Sequence, residues 1–502
     1  MNDFSHHNID DEAPSNSSHP SNPSSPSDPS PLPSFSAKPI TPHHKKAAFK
    51  SLLKKIVRTI PTNKKEYEQK KVPFFFLILF IFFSGVIIFK VIFTGYQYVT
   101  TFDLKDLIGF ISTDLQVDDK KRTNVLMLGV GGGTHDGANL TDTIMIASFN
   151  EEQHTASLLS IPRDLWLDLP GYDSSRINKI YDILKGKYGS TQALDILRKG
   201  IENISNLEIP YVIKIDFTGL TNVVDALGGI EVTVEKSIYD TEYPNEDETG
   251  YETFSIEAGT QVLDGKTALK YARSRHSSSD FDRSERQHKI IEAIKTKAQE
   301  THFLSSPLML KKLYQEFSDH IESNLKTSEL ISLGRLVQSI GDDDIASVVL
   351  INNEILDVGS FLYTPDRELY GGAFVLVPLN NNYEKIQRFL DLVFDFPRFF
   401  KEKASIEILN GTKKSGLAAQ LGQHLIPYGF NVQHYGNAAD KTYLSTTYYI
   451  RNSDHAQTAE EVIKLFFPGA VKIKTDPSAT PDDSYDISIV TGGDLEAEKI
   501  KF

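Results

Sequence analysis

Four arginines, Arg273, Arg275, Arg283 and Arg286, fall within fourteen residues of the segment 271–287, YARSRHSSSDFDRSERQ. If 272–276 is extended, Arg273 and Arg275 point to one side, because strand side chains repeat every second residue. A helix is expected to begin near Asp282, with Asp282 as N-cap and Glu285 at the third position, a carboxylate variant of the capping box. On it Arg283, Gln287, Ile290 and Ile294 share one stripe at i+4, i+3 and i+4 spacing. The isoleucines should face the core, which places Arg283 and Gln287 at its edge rather than in bulk water. Arginines gathered there need anionic partners. A diphosphate suits them, because planar guanidinium forks pair with phosphate oxygens bidentately. The competing reading is a solvated charged face in which they pair with neighbouring Asp and Glu.

Two further segments add to the cluster. SIPRD (160–164) sets Arg163 and Asp164 just after a strand end, where sites commonly form. LTDT (140–143) puts Asp142 at the start of another strand. A carboxylate beside a phosphate site is a natural magnesium ligand, since hard oxygen donors suit the ion. His135 and His288 have no metal-type spacing, and His276 is read as structural.

The elements that must carry these residues follow from pattern. NVLMLGV (124–130), TIMIASF (143–149) and SLLSI (157–161) are short apolar runs separated by turn residues, hence strands. Residues 177–204 are helical with a break near 186–189. YVIKID (211–216) alternates as a strand, 218–227 is a helix stopped by Gly228 and Gly229, and 230–234 is a strand. Residues 240–250 read as an acidic loop, and further helices fill roughly 306–340. This mixture points to α/β layers. Past a boundary at 401–403, strands at 404–409, 431–435, 442–449 and 484–490 alternate with helices at 417–425 and 459–467. They form a second unit of ordinary domain size. The expected organisation is a tail over 1–71, a span over 72–95, a main domain over 100–400 and a smaller one over 404–496.

The N-terminal third of this plan rests on composition. Residues 1–44 are rich in Ser, Pro, Asn and His and are expected to be disordered. A Lys-rich stretch over 45–71 precedes VPFFFLILFIFFSGVII (72–88), and the apolar run extends to 93 around Lys90. About 20 apolar residues suffice to span a bilayer. The basic flank puts the N-terminus in the cytoplasm and the bulk of the chain outside. A short helix over 100–111 is expected to lead away from the membrane. Residues 1–71 hold 11 Lys and Arg against 7 Asp and Glu, so the remainder of a chain of net −14 carries −18. An acidic exterior argues against nucleic-acid binding. The absence of cysteine excludes disulfides, thiolate metal sites and a Cys nucleophile.

In family order across roughly 120–300 stand NVLMLGV, LTDTIMIAS, SIPRDLWLDLPGY, RINKIY, DFTGLTNVVDALGGIEVTV and LDGKTALKYARSRHSSSDFDRSERQ. Together they resemble the LytR–CpsA–Psr family, enzymes that ligate anionic polymers to the bacterial cell wall. EILNGTKKSGLAAQLGQHL with YGFNV resembles the LytR C-terminal domain. The resemblance implies a central mixed sheet flanked by helices around a hydrophobic tunnel for a polyprenyl chain. It implies transfer of a phospho-glycan from a polyprenyl-diphosphate carrier to a peptidoglycan hydroxyl. By motif position Arg163, Arg273, Arg275, Arg283 and Gln287 bind the diphosphate, with Arg286 in the same cluster. Asp142 holds Mg2+, and Asp280 is a functional acid. Trp166 is read as packing rather than a sugar platform.

Two positions depart from the family pattern. Its usual Asp after the first strand is replaced by a glycine turn (131–133), for which Asp136 is the substitute metal ligand. Its usual Arg before Asp142 is Leu140. The alternatives are therefore a lipid-diphosphate hydrolase and a non-catalytic wall-associated binding protein. Arg275→Ala should remove a bidentate phosphate contact, lowering turnover on a lipid-diphosphate substrate by about thirtyfold or more, ~2 kcal/mol. Unchanged turnover would make the arginine cluster a charged surface only.

Overall fold

The computed structural model describes residues 113–133, 137–245, 249–274, 280–301, 317–350, 361–453, 456–477 and 485–495, with the side chains of 280 and 281 left out. The tail, the span at 72–95, the helix at 100–111, Asp136 and Arg275 lie outside the described residues. The chain divides into two units, Met1–Thr101 and Phe102–Phe502, and every described residue belongs to the second. Among the described residues no helix is long and apolar enough to cross a membrane.

Strand β1 (Arg122–Val130) pairs antiparallel with β2 (Thr141–Asn150), which returns along β3 (Thr155–Ser160). The short strands β4 (Trp166–Leu167) and β5 (Ser175–Arg176) pair next, ahead of helices α1 (Ile177–Tyr188) and α2 (Ser190–Ser205). The helical break falls at Gly189, whose φ of 82° suits glycine. Strand β6 (Tyr211–Asp216) lies parallel to β1, and Asp216 caps α3 (Phe217–Ala226) by accepting from the Gly219 N–H at 2.8 Å. Then come β7 (Ile230–Val234), β8 (Ile238–Pro244), β9 (Tyr251–Ile256) and β10 (Gly259–Leu263), with β8–β9 and β7–β10 paired antiparallel. Helices α4 (Gly265–Arg273) and α5 (Asp280–Glu300) follow. Strand β11 (Ile321–Ser323), helix α6 (Thr327–Ser339) and strand β12 (Ile345–Val349) complete the main body. The central sheet is mixed, in the order β11-β6-β1-β2-β3-β12.

The interior strands are buried on both faces, and their period of two sorts their residues. Leu126, Leu128, Ile144 and Ile146 join Tyr181, Leu197 and Ile201 of α1 and α2 in one core. Val125, Ala147 and Tyr211 face the other way, toward Leu333 and Leu336 of α6 and Ile291 of α5. A third cluster ties α3, β7, β10 and α4 to α5.

Beyond β13 (Leu362–Tyr363) and β14 (Val377–Pro378) lie α7 (Glu384–Asp395) and α8 (Pro397–Glu402). The last unit comprises β15 (Ser405–Asn410), α9 (Leu417–Leu425), β16 (Asn431–Asn437), β17 (Thr447–Ile450), α10 (Gln457–Phe466), β18 (Val471–Lys472) and β19 (Ile487–Thr491). Its sheet runs β16-β15-β19-β17-β18. Its core is not separate. Ile406, Leu421, Phe430 and Ile463 share one apolar cluster with Phe389 and Phe399 of α7 and α8, and Phe399 meets Phe430 edge-on at 5.1 Å.

Three expectations are corrected. Residues 272–273 are helical, since α4 runs through Arg273, so the same-side strand argument for Arg273 and Arg275 does not hold. Helix α5 begins at Asp280, which puts Asp282 in the first turn rather than at the cap. The stretch read as an acidic loop opens as strand β8, with Asp240 buried and accepting from Ser274 Oγ at 2.6 Å.

Candidate functional site

Part of the sheet face that packs on α5 and α6 borders a cavity. Met127 and Gly129 of β1 stand opposite Met145 and Thr143 of β2 on one side and Ile213 and Ile215 of β6 on the other. All six line a cavity of about 880 Å³. Its apolar walls come from Leu220 and Val223 of α3, Leu269 of α4, and Ile290, Ile291 and Ile294 of α5. Arg283 and Gln287 line the same cavity from the preceding turns of α5, as their spacing with Ile290 and Ile294 predicts. Arg273 lines it from the end of α4, and Asp142 from β2. Arg283 is only 6% exposed, so its charge acts in low dielectric, where an anion is held more strongly than in water.

Asp142 reaches the cavity through a bulge. Gly129 pairs with Thr143 and Val130 with Thr141, so Asp142 is the extra residue that the ladder passes over. Such a bulge re-aims one side chain. It also requires the glycine opposite, because a Cβ on Gly129 would sit 2.9 Å from the Thr143 Cβ. The Asp142 carboxylate accepts from Arg163 Nη1 at 2.9 Å, and Arg163 Nε lies 3.6 Å from Asp164. Asp164 in turn accepts from Arg176 at 2.9 Å. Arg163 is thus held between two carboxylates behind Asp142 and, unlike Asp142, does not itself line the cavity, which corrects its expected place among the lining cations. It follows β3 directly, as the strand-end position implies.

The other candidates are placed differently. Arg273 lies with its guanidinium carbon 3.9 Å from the Phe217 ring centroid and 5.7 Å from that of Tyr243, and these faces orient the cation. Arg286 is a correction. It does not line the cavity; its Nε donates to the Tyr271 carbonyl at 2.9 Å and its Nη2 donates to the Ser274 carbonyl. Burial pushes its pKa down from the ordinary arginine value. Its role is to tie α5 to the end of α4, ahead of Arg275. Asp280 begins α5, but its side chain, like Arg275 and Asp136, lies outside the described residues. In the glycine turn the Gly132 N–H is already engaged, donating to the Ala138 carbonyl at 2.8 Å.

Sequence reasoning missed Asp216 and Phe217, which line the cavity at the end of β6. Their strand-end position was the available signal. Asp216 also contacts His320 Nδ1 at 2.9 Å. Asp240, Glu242 and Tyr251 of the β8–β9 hairpin were missed too, because the segment read as a loop.

The donor chemistry near Asp142 suits magnesium in a limited way. No group of three or more His, Cys, Asp or Glu able to hold a metal occurs among the described residues. What they offer beside the cationic groups is the Asp142 carboxylate, 38% exposed, with Asp216, Asp240 and Glu242 elsewhere in the cavity wall. That fits an ion which takes one or two protein carboxylates and completes its shell with substrate phosphate oxygens and water.

The fold and site define a mixed α/β protein with an apolar cavity whose polar end gathers arginines around a bulged aspartate. The sequence profile of the LytR_cpsA_psr family matches residues 96–371, and the chain belongs to that family. A second profile, described as LytR cell envelope-related transcriptional attenuator, matches 403–495. The chain is 29% identical over 225 residues to the polyisoprenyl-teichoic acid–peptidoglycan teichoic acid transferase TagT of Bacillus subtilis (strain 168), covering 44% of this chain and 66% of that protein. It is 31% identical over 221 residues to the corresponding TagU of Enterococcus faecalis (strain ATCC 700802 / V583), covering 43% and 64%. The match thus spans a little under two thirds of these relatives. The crystal structure of B. subtilis TagV aligns at 23% identity and a TM-score of 0.42, covering 56% of this chain and 99% of that one.

His288 locks α5 in place. It is 2% exposed, and its Nε2 lies 2.8 Å from Ser160 Oγ at the end of β3, just before Arg163. Burial lowers its pKa from 6.5 to about 4. Above pH 6.5 the ring is neutral folded and unfolded, and its contribution to stability is complete. As pH falls from 6.5 toward 4, the unfolded chain takes a proton that the folded chain resists, and up to about 3 kcal/mol is lost. Urea unfolding across this window should show a steeper acid loss for the native chain than for His288→Gln. Equal slopes would mean that His288 is not the buried neutral group described.

Proposed function

We propose that this chain is an extracytoplasmic phosphotransferase that moves a glycan phosphate from a polyprenyl-diphosphate carrier to a hydroxyl of peptidoglycan. The observation that carries the reading is the continuity of one cavity. Its depth is isoleucine, leucine and methionine, matched to a polyprenyl tail, and its polar end holds Arg273, Arg283, Gln287 and Asp142. Family membership and the names of TagT and TagU support the same class of reaction. The apolar run over 72–95 anchors the chain, with the basic N-terminus in the cytoplasm and the cavity outside.

Phosphoryl transfer depends mainly on positioning and charge neutralisation. In this reading the apolar walls fix the lipid, so the diphosphate arrives at one depth. Arg273 and Arg283, with Arg275 from the adjoining segment, neutralise its oxygens, and Gln287 donates a neutral hydrogen bond. Arg163, braced by Asp142 and Asp164, supplies a further cation where charge develops on the leaving phosphate. The acceptor oxygen forms a bond to the glycan-bearing phosphorus as the bridging P–O bond breaks, and polyprenyl phosphate departs. Asp280, at the start of α5, takes the proton of the acceptor hydroxyl. Mg2+ held by Asp142, with Asp136 as the second carboxylate, would withdraw charge from the leaving phosphate.

Full-length protein in detergent, given a polyprenyl-diphosphate disaccharide and a soluble peptidoglycan oligomer, should yield a phosphodiester-linked product by mass spectrometry. Chelation of magnesium should abolish it, and Asp142→Asn should lower it at least about a hundredfold. Release of polyprenyl phosphate without linked product would replace this reading with a hydrolase. Tight lipid binding without turnover would replace it with a binding protein.

A further inference from the structure

Downstream of Arg163 in the chain comes a group of aromatic side chains that do not line the apolar cavity and that the phosphate chemistry does not use. Trp166, the only tryptophan in the chain, follows Arg163 by three residues and is partly exposed, so it is not the wholly packed residue that its sequence position suggests. Its ring meets that of Tyr370 edge-to-face, with centroids 4.8 Å apart and an interplanar angle of 72°. The indole N–H donates to Asp168 at 2.9 Å, which fixes the ring plane. Tyr363 and Phe374, 39% and 37% exposed, come from the same 361–378 segment as Tyr370. Tyr363 stands opposite Val377 in the β13–β14 ladder, one residue from Leu376, and burial, followed by the charges of Tyr363 and Asp168, raises the Tyr370 pKa.

The placement is fixed by backbone. The Leu376 N–H donates to the Asp164 carbonyl at 2.9 Å, and the Trp166 N–H donates to the Leu376 carbonyl at 2.8 Å. The segment bearing Tyr370 is therefore clamped to the chain that carries Arg163. Two rings at nearly right angles make a corner with a carboxylate and phenol hydroxyls at its edges. That shape suits a pyranose, whose C–H face packs on an aromatic face while its hydroxyls reach polar edges. A protein partner would call instead for a broad aliphatic patch.

We propose that Trp166, Tyr370 and Tyr363 form a saccharide subsite that receives the sugar rings of the acceptor glycan strand near Arg163. This rests on the transferase reading and names where its acceptor lies. Shape selects the acceptor over a glycerol-phosphate polymer, which has no pyranose face to lay on the rings.

Because Trp166 is the sole indole, its emission reports the subsite directly. Full-length protein in detergent is titrated with chitohexaose, a neutral oligomer of N-acetylglucosamine, and separately with poly(glycerol phosphate). The expected result is a saturable change with chitohexaose only, weakened about tenfold in Tyr370→Ala. Asp168→Asn, which keeps both rings, should also weaken it, and circular dichroism checks that each variant is folded. No change with chitohexaose, equal binding by folded Tyr370→Ala, or a response to the polyanion instead would overturn the proposal. The readout needs no turnover. Saccharide binding in a protein that fails to transfer would sink the transferase reading and leave the subsite, whereas transfer without Trp166 response would do the reverse.

Discussion

The space left between the sheet and α5 is the constraint on which the rest of the structure depends. Protein interiors are normally close-packed. Here the β1–β2–β6 face presents methionines, a glycine and a threonine to a helix whose facing residues are isoleucines, and about 880 Å³ stays open between them. Arg273, Arg283 and Asp142 line the same space as these apolar side chains. Because Arg283, Gln287, Ile290 and Ile294 lie on one helix, the distance from apolar depth to cationic rim is set by helical rise alone.

Several devices hold that rim in register. The bulge turns Asp142 out of the β2 ladder, and Gly129 makes room for the neighbouring Thr143. Asp142 and Asp164 brace Arg163 from two sides, and His288 joins α5 to the end of β3 through Ser160. Arg286 secures the α4–α5 connection by binding main-chain carbonyls. The cations are thus preorganised before an anion arrives, as electrostatic stabilisation requires. The C-terminal unit supports this body through a shared aromatic core at α7 and α8 rather than standing apart on a linker.

Much of this was legible in residue order, and the misses have physical reasons. The α5 stripe emerged from spacing because helical periodicity survives whatever packs against it. Strand β6 and helix α9 fell where alternation and periodicity place them. Arg273 was misplaced although the six residues before it, TALKYA, include the strong helix formers Ala, Leu and Lys. Their helix is decided by the Asp264 cap, which accepts from the Thr267 N–H at 2.8 Å, and by packing of Ala268 and Tyr271. Arg286 was grouped with its neighbours by type, yet one residue of helical rotation turns it from the cavity to the backbone of α4. The β8–β9 hairpin was hidden because its acidic residues depress strand propensity, while register and burial of Tyr243 and Phe254 decide it.

The central claim is that the open space holds a lipid tail whose diphosphate stops at the arginines. Calorimetric titration with geranyl, farnesyl and geranylgeranyl diphosphate tests it most directly. Each buried methylene contributes about 0.8 kcal/mol, so affinity should climb about tenfold or more per isoprene unit, with an increasingly negative heat-capacity change, until the cavity is full. An affinity independent of chain length would show that the anion alone is bound, and the cavity would lose its role.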